Sequence, residues 1–264
     1  MQLHRDSAAE PAAQLATLER KITKAVGKAI GDFKLIQDGD RVMVAVSGGK
    51  DSYALLAALR LLQQRAPVRF TLEAVNLDPQ YPGYQPEIVK KYVESLDVPI
   101  TMLDAPIHQL VQDKLSPGQA ACPLCSRIRR GAFYTLCRER GFNKLALGHH
   151  LDDAIETLLM NMFYSGAMRA MPPLLERDEV PHVVRPLIYC LEADVAAYAA
   201  AARFPVIPCA SAHCAAADRR RQVIKGLLAS LEREHPSIKH NVRRALGNVD
   251  PRFLLDPLLE RSNV

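Results

Sequence analysis

Residues 47–52 read Ser-Gly-Gly-Lys-Asp-Ser. Paired glycines let a backbone turn sharply and come close to a ligand. The Lys50 charge and the Ser47 and Ser52 hydroxyls suit a phosphate, and a helix beginning there would add free N–H groups and a positive dipole end. A Walker loop would need glycine at position 44 and Ser or Thr at position 51. Val44 and Asp51 stand there instead. An acid in a phosphate cradle repels its ligand unless a cation intervenes, so Asp51 implies Mg²⁺. A second chemically rich stretch is Gly148-His-His-Leu-Asp-Asp-Ala-Ile-Glu-Thr157. Asp152, Asp153 and Glu156 fall within one helical turn, where they could share a metal or approach a phosphate-bound Mg²⁺. Complementing a helix dipole explains one or two such acids, but not the Gly148, His149 and His150 that precede them.

The chain has six cysteines. Cys122-Pro-Leu-Cys125 is a CxxC, which reads as a redox pair, a metal half-site or chance. Cys209 and Cys214, with His213 nearby, offer partners for a half-site. Four thiolates, or three and a histidine, would close a structural zinc site. Three thiolates on an iron–sulfur cluster would leave one iron open. Spacing alone leaves both readings standing. Cys137 and Cys190 sit in apolar surroundings and read as core.

The elements that must position these residues alternate. Residues 15–31 carry Leu15, Leu18, Ile22, Val26 and Ile30 at helical spacing, and the chain before about Glu10 is expected to be disordered. Strands are expected over 41–46, 70–77, 100–103, 144–147 and 182–185. Helices are expected over 52–64, 87–96, 125–140, 151–164 and 192–202. Near-continuous apolar strands alternating with helices predict an α/β doubly wound parallel sheet, with helical N- and C-terminal extensions. The expected division is 1–37, an N-terminal segment and helix; 38–205, the nucleotide-binding sheet domain; and 206–264, a Cys-containing loop and basic helices. The loops at 78–86 and 116–123 interrupt the alternation where such sheets bind ligands.

No apolar run approaches the roughly 18 residues of a membrane span, and no signal-peptide core is evident, so no membrane partner and a cytoplasmic location are expected. The net charge is +5, and it is uneven. Residues 218–244 hold eight Lys or Arg against three acids, and residues 127–144 hold six against one. Such clusters suit a polyanion or, equally, solvated helix faces. Arg219, Arg220 and Arg221 precede an apolar helical face of Val223, Ile224, Leu227, Leu228 and Leu231, which should dock and leave the arginines in solvent. Arg127, Arg129 and Arg130 follow the CxxC. Tyr81, Tyr84 and Phe163 are candidates for base stacking, although single aromatics are more often core.

The SGGKDS segment resembles the signature of the PP-loop ATP pyrophosphatases. In them the loop holds the β- and γ-phosphates as a pyrophosphate leaving group while a nucleophile attacks the α-phosphate. In such RNA enzymes a GHxxDDxxET-like stretch lies beside the ATP, and the end of the second strand, here Asn76 to Asp78, meets adenine or ribose. SGGKDS, CPLCSRIRRG, GHHLDDAIET, NMFYSGAMRAMPP, RPLIYC and FPVIPC together are similar to the TtcA family of tRNA 2-thiocytidine synthetases, over about residues 20–225. The resemblance implies adenylation of the 2-oxygen of an anticodon-loop cytidine, position 32, and its replacement by sulfur. It implies ATP, Mg²⁺ and a [4Fe–4S] cluster as cofactors, and tRNA and a cysteine desulfurase or other sulfur donor as partners; it leaves a homodimer open. The residues it implies are Lys50, Asp51 and Asp153 for catalysis; Ser47, Gly48, Gly49, Lys50, Asp51, Ser52, Asn76, Asp78, Gly148, His149 and Asp152 for ATP; Asp51 and Asp153 for Mg²⁺; and Cys122, Cys125 and Cys209 for the cluster. Where the family has a second CxxC, this chain has Cys209-Ala-Ser-Ala-His-Cys214, and Cys214 is expected to be dispensable. The competing readings are a PP-loop ligase or thiolase acting on another base or acceptor, with a structural zinc site, and a non-enzymatic ATP sensor.

Overall fold

The computed structural model describes residues 6–114, 122–178, 181–208 and 219–255. Its centre is a six-stranded sheet in the order β3-β2-β1-β4-β6-β5. The strands are β1 (Arg41–Ala45), β2 (Thr71–Asp78), β3 (Ile100–Asp104), β4 (Lys144–Ala146), β5 (Leu174–Leu175) and β6 (His182–Val184). All neighbours pair in parallel except β5, which runs antiparallel to β6 at the edge. The expected all-parallel sheet therefore gains a two-residue antiparallel strand, too short to show a period of its own.

Both faces of the sheet are covered, which is why β1 reads as an apolar run rather than an alternation. Val42, Val44 and Val46 point to one face and pack with Tyr53, Leu55, Leu56 and Leu59 of α2 (Lys50–Arg65). Ile22, Val26 and Ala29 of α1 (Asp6–Phe33) extend the same core, with Val195 and Tyr198 of α7 (Glu192–Ala201). Met43 and Leu145 point to the other face. They meet Ile107 and Val111 of α4 (Ile107–Lys114) and Phe133, Leu136 and Cys137 of α5 (Cys122–Arg140). α3 (Pro86–Glu94) closes the first face with Val89 and Val93.

Two boundaries differ from expectation. Helical backbone starts at Asp6, so the stretch expected to be disordered through Glu10 is helical from there. Alanines at 8, 9, 12 and 13 are strong helix formers. α2 begins at Lys50 rather than Ser52, which brings Lys50 and Asp51 into its first turn. α4 was not foreseen; eight residues are too few to establish a period.

After the sheet, α8 (Arg219–Glu234) and α9 (Ile238–Leu246) pack on α6 (Leu151–Ser165). Ile224 and Leu228 are buried there against Leu151 and Ile155. Val223 and Leu227 are 60% and 39% exposed, so only half of the expected apolar face docks. Leu228→Ala should cost about 2–4 kcal/mol by leaving a cavity, and Leu227→Ala under about 1 kcal/mol. Denaturant unfolding of the two neighbours checks this; equal losses would mean that α8 docks through a different face.

Candidate active site

The strand order reverses direction at β1. From it the chain crosses to β2 and β3 on one side and to β4 and β6 on the other. Ligands of doubly wound sheets bind outside the carboxyl ends of the strands at such a point. The 47–52 loop leaves the end of β1 there, and the 148–150 segment leaves the end of β4.

The loop is shaped by its own side chains. Ser52 is buried; its hydroxyl donates to the Gly49 carbonyl at 2.8 Å and accepts from the Ser47 N–H at 3.2 Å. Gly48 sits at φ 83°, and a Cβ on it would meet Ile207 at 3.1 Å. The Ile207 N–H donates to the Gly48 carbonyl at 2.9 Å, which ties the segment leading to Cys209 to the loop. Gly148 comes closer still. A Cβ there would lie 3.0 Å from the Asp51 carbonyl carbon and 3.1 Å from the Ser52 nitrogen. Backbone is what it would strike, so glycine is required for the two loops to touch.

Lys50 Nζ lies 3.0 Å from Asp51 Oδ1 and 3.2 Å from Glu192 Oε1. Burial works against its charge, but the Asp51 and Glu192 carboxylates outweigh burial and hold its pKa above the ordinary lysine value. Glu192 shows the complement: burial pushes it up, and Lys50 more than compensates, so it stays ionised. Asp51 Oδ1 is buried and accepts no hydrogen bond. Lys50 Nζ faces that oxygen at 3.0 Å without a well-aligned hydrogen bond, so it is a position that already suits a cation, and Mg²⁺ characteristically takes one or two carboxylates while phosphate oxygens and water fill the rest of its shell. Among the described residues, no group of three or more His, Cys, Asp or Glu is placed to hold a metal alone.

The acids of α6 divide. Asp153 caps its own helix: its Oδ2 accepts from the His150 N–H at 3.1 Å, and its N–H donates to His150 Nδ1 at 3.4 Å. Asp152 is buried, 2.8 Å from Lys239 Nζ and accepting the Glu192 N–H at 2.7 Å. Glu156 is buried between Arg221 at 3.3 Å and Lys225 at 3.6 Å. Burial raises the Glu156 pKa, against the pull of these two cations. His149 is kept neutral by burial and by Arg185, which bring its pKa down from 6.5 to about 4.

Ser47, Gly49, Asp51, Ser52, Gly148 and His149 line one cleft of about 390 Å³. Its opposite wall is α5, through Ser126, Arg129 and Arg130, and Arg185 at the end of β6. Asn76 lies behind the cradle, fully buried, donating through Nδ2 to the Val46 carbonyl and the Tyr84 hydroxyl, both at 2.7 Å. Asp78 caps a turn by accepting the Gln80 N–H. Cys122 opens α5, and Cys125 Sγ lies 3.4 Å from the Tyr81 hydroxyl. Cys209, His213 and Cys214 lie outside the described residues. Cys137 and Cys190 are buried with thiols pushed up to about 12, as inert core groups are. Tyr81 is buried against His108, whereas Phe163 is exposed. Arg220 lies over the Tyr164 ring, and Arg221 is engaged by Glu156.

Sequence reading missed Glu192, Lys225, Lys239 and Arg185. Each reaches the site from an element far along the chain; Arg185 opens the quoted RPLIYC segment but has no role assigned to it there, and the other three stand in no motif. His150 had a usable signal, since a polar residue three before Asp153 is a capping pattern.

Gly148→Ala should separate the two loops. The expected outcome is at least a tenfold loss of ATP-dependent pyrophosphate release with the fold retained, read by a coupled pyrophosphate assay beside circular dichroism. Full activity in the alanine variant would show that the close approach is dispensable.

The PP-loop domain family matches residues 15–227. A tRNA-cytidine(32) 2-sulfurtransferase of Anaeromyxobacter sp. (strain Fw109-5) is 49% identical over 253 residues, 95% of this chain and 83% of that one. The protein of that name from Geobacter sulfurreducens is 46% identical over 243 residues, 92% and 95% of the two chains. Among solved structures, the U34-tRNA thiolase NcsA from Methanococcus maripaludis with its [4Fe-4S] cluster shares the fold, with a TM-score of 0.69 at 20% identity, over 89% of this chain and 80% of that one. A cradle built for pyrophosphate at a sheet's switch point, faced by a CxxC helix, thus has its counterpart in sequence: the chain belongs to the PP-loop family and, within it, to the tRNA-cytidine(32) 2-sulfurtransferases.

Proposed function

We propose that this chain uses ATP to exchange the 2-oxygen of cytidine 32 in a tRNA anticodon loop for sulfur, releasing AMP and pyrophosphate. The observation that carries the reading is that the phosphate cradle, the 148–150 segment and the CxxC helix open onto one cleft. A sensor needs the cradle alone, and a ligase with a structural zinc site does not need the CxxC helix to face the nucleotide cleft.

The cradle N–H groups, Ser47, Ser52 and Lys50 hold the β- and γ-phosphates. Lys50 stays charged because Glu192 and Asp51 face it, so it meets the charge that develops on the leaving group without reorganising. Asp51, joined by Asp153, would hold Mg²⁺ against the phosphates. The cytosine O2 attacks the α-phosphorus, and the bond to the β-phosphate oxygen breaks. In the second step sulfide forms a bond to C2, and AMP departs with the original oxygen. Neither step changes an oxidation state. Neutral His149 at the cleft wall can exchange a hydrogen bond with the base without adding charge.

A [4Fe–4S] cluster on Cys122, Cys125 and Cys209 would supply an iron position at which sulfide is held near the base. What supports the fit is that α5, which begins at Cys122, forms a wall of the cleft through Ser126 and Arg129, and that in the sequence Cys209 comes two residues after Ile207, which is tied to Gly48. The sulfur donor in this reading is a cysteine desulfurase or an equivalent sulfide source. The setting is the cytoplasm; among the described residues no helix is long and apolar enough to cross a membrane. The segments 1–37, 38–205 and 206–264 are taken as its functional divisions, with a homodimer left to sizing experiments.

The test combines anaerobic protein, Mg-ATP, sulfide and unmodified tRNA, followed by nucleoside mass spectrometry. 2-Thiocytidine should form with matching AMP and pyrophosphate. Lys50→Ala and Asp51→Ala should each slow pyrophosphate release by about 10²–10³. Pyrophosphate release with no thiolated nucleoside would turn the reading toward a ligase. For the thiols, Cys122→Ser, Cys125→Ser and Cys209→Ser should lose bound iron and thiolation, and Cys214→Ser should keep both. If Cys214→Ser also loses iron, the site is four-thiolate and the open iron position is gone.

A further inference from the structure

Positive charge also gathers in the cleft away from the pyrophosphate cradle. Arg185 is only 8% exposed. Its Nη1 donates to the Pro172 carbonyl at 2.6 Å, and its Nε has no partner. Arg129 Nε is likewise buried without a partner. Arg130 is exposed, and its Nε donates to the Ser126 carbonyl of its own helix turn at 3.2 Å. Among the described residues none of these three guanidinium groups pairs with a carboxylate. Several other cations near the site do pair with acids: Arg221 has Glu156, Lys225 has Glu156 and Glu192, and Lys239 has Asp152 and Glu232.

A buried charge left without a counterion is costly, and here like charges face each other. Burial, with Arg130 nearby, pulls the Arg185 pKa below the ordinary arginine value. His149, also beside Arg185, is neutral and offers no compensation. The cluster is therefore complete only with an anion in the cleft. The same cleft also has apolar wall, including Leu147, Val183 and Phe133. That is a surface for the face of a base.

We propose that Arg185, with Arg129 and Arg130, seats a phosphodiester of the RNA strand flanking the cytidine to be modified, at a site separate from the pyrophosphate cradle. This rests on the tRNA reading above. The cradle already has its own amides, hydroxyls and Lys50, so ATP does not require these arginines. A nucleotide drawn out of its stack brings its own phosphates with it. Unstacking costs a few kcal/mol, and charge-assisted contacts to a flanking phosphate in a dry cleft offset that cost while fixing where O2 points.

The experiment uses the full-length protein and an anticodon stem–loop RNA, with each phosphate flanking the cytidine replaced in turn by a neutral methylphosphonate. One replacement should weaken binding to the wild type by about 10- to 100-fold. Arg185→Gln should weaken binding of the unmodified RNA by a similar factor, and the two losses should not add. Arg129→Gln, on the partly exposed face of α5, repeats the cycle should Arg185→Gln fold poorly. ATP affinity, measured in parallel, should stay within about twofold. Additive losses, or no loss with any replacement, would overturn the seat. So would a large fall in ATP affinity with RNA binding intact, which would assign the arginines to the nucleotide. Thiolation of the unmodified RNA by the wild type is the control. If it fails, the function is wrong; if it succeeds and the losses add, only the phosphate seat is wrong.

Discussion

The site depends on a contact between two backbones. Gly148, leaving β4, stands so close to the Asp51–Ser52 peptide that a Cβ would sit 3.0 Å from a carbonyl carbon. β1 and β4 are neighbours with direct register, Val44 facing Ala146, so their carboxyl ends are side by side before any ligand is present. The sheet decides that the two loops emerge together, and the glycine lets them stay together. With the loops in contact, the α2 N-terminus, the Ser47 and Ser52 hydroxyls and the His149 ring share one cleft. Most of the binding geometry is then built without side chains, which suits a step whose catalysis is mainly electrostatic.

The acids of α6 show how such a cleft is supported. Asp152, Asp153 and Glu156 look alike in the sequence and sit within one turn. In the structure they meet three different partners: Lys239 of α9, the N-terminus of their own helix, and Arg221 with Lys225 of α8. Lys225 also lies 3.4 Å from Glu192, whose other oxygen holds Lys50. A chain of opposite charges therefore runs from the basic C-terminal helices to the lysine of the cradle. Part of the basic charge that suggests a polyanion is spent inside the protein. Arg129, Arg130 and Arg185 line the cleft without a carboxylate partner among the described residues, and are better markers of where an external anion goes.

What could be read from the sequence follows from how local each cause is. The cradle is six consecutive residues between an apolar run and a helix, and its position survived intact. The alternation of β1 to β4 with helices was visible because both sheet faces are buried, which leaves long apolar strands. β5 and α4 were invisible because two and eight residues carry too little period. The pairing of Lys50 with Glu192 spans 142 residues and has no local mark. The half-docking of α8 was hidden for a related reason. Ile224 and Leu228 pack while Val223 and Leu227 do not, and a stripe of five apolar residues does not say which edge of it meets α6.

The remaining question of geometry is why leaving group and incoming sulfur should share a cleft. The 47–52 loop runs from the end of β1 to the α2 N-terminus on one face of the sheet. The CxxC helix approaches from the opposite face of the sheet, and its first turns carry the thiols. A base held between them on the apolar wall would present its 2-position to both sides in turn, without leaving the site. Gly48 sharpens this. Its positive φ brings the loop against Ile207, and its carbonyl accepts the Ile207 N–H. The segment that leads to Cys209 is thereby anchored to the same residue that begins the phosphate cradle. In this fold Gly48 and Ile207 are held together by backbone contact, so the chain that follows α7 is positioned by the same turn that shapes the phosphate loop.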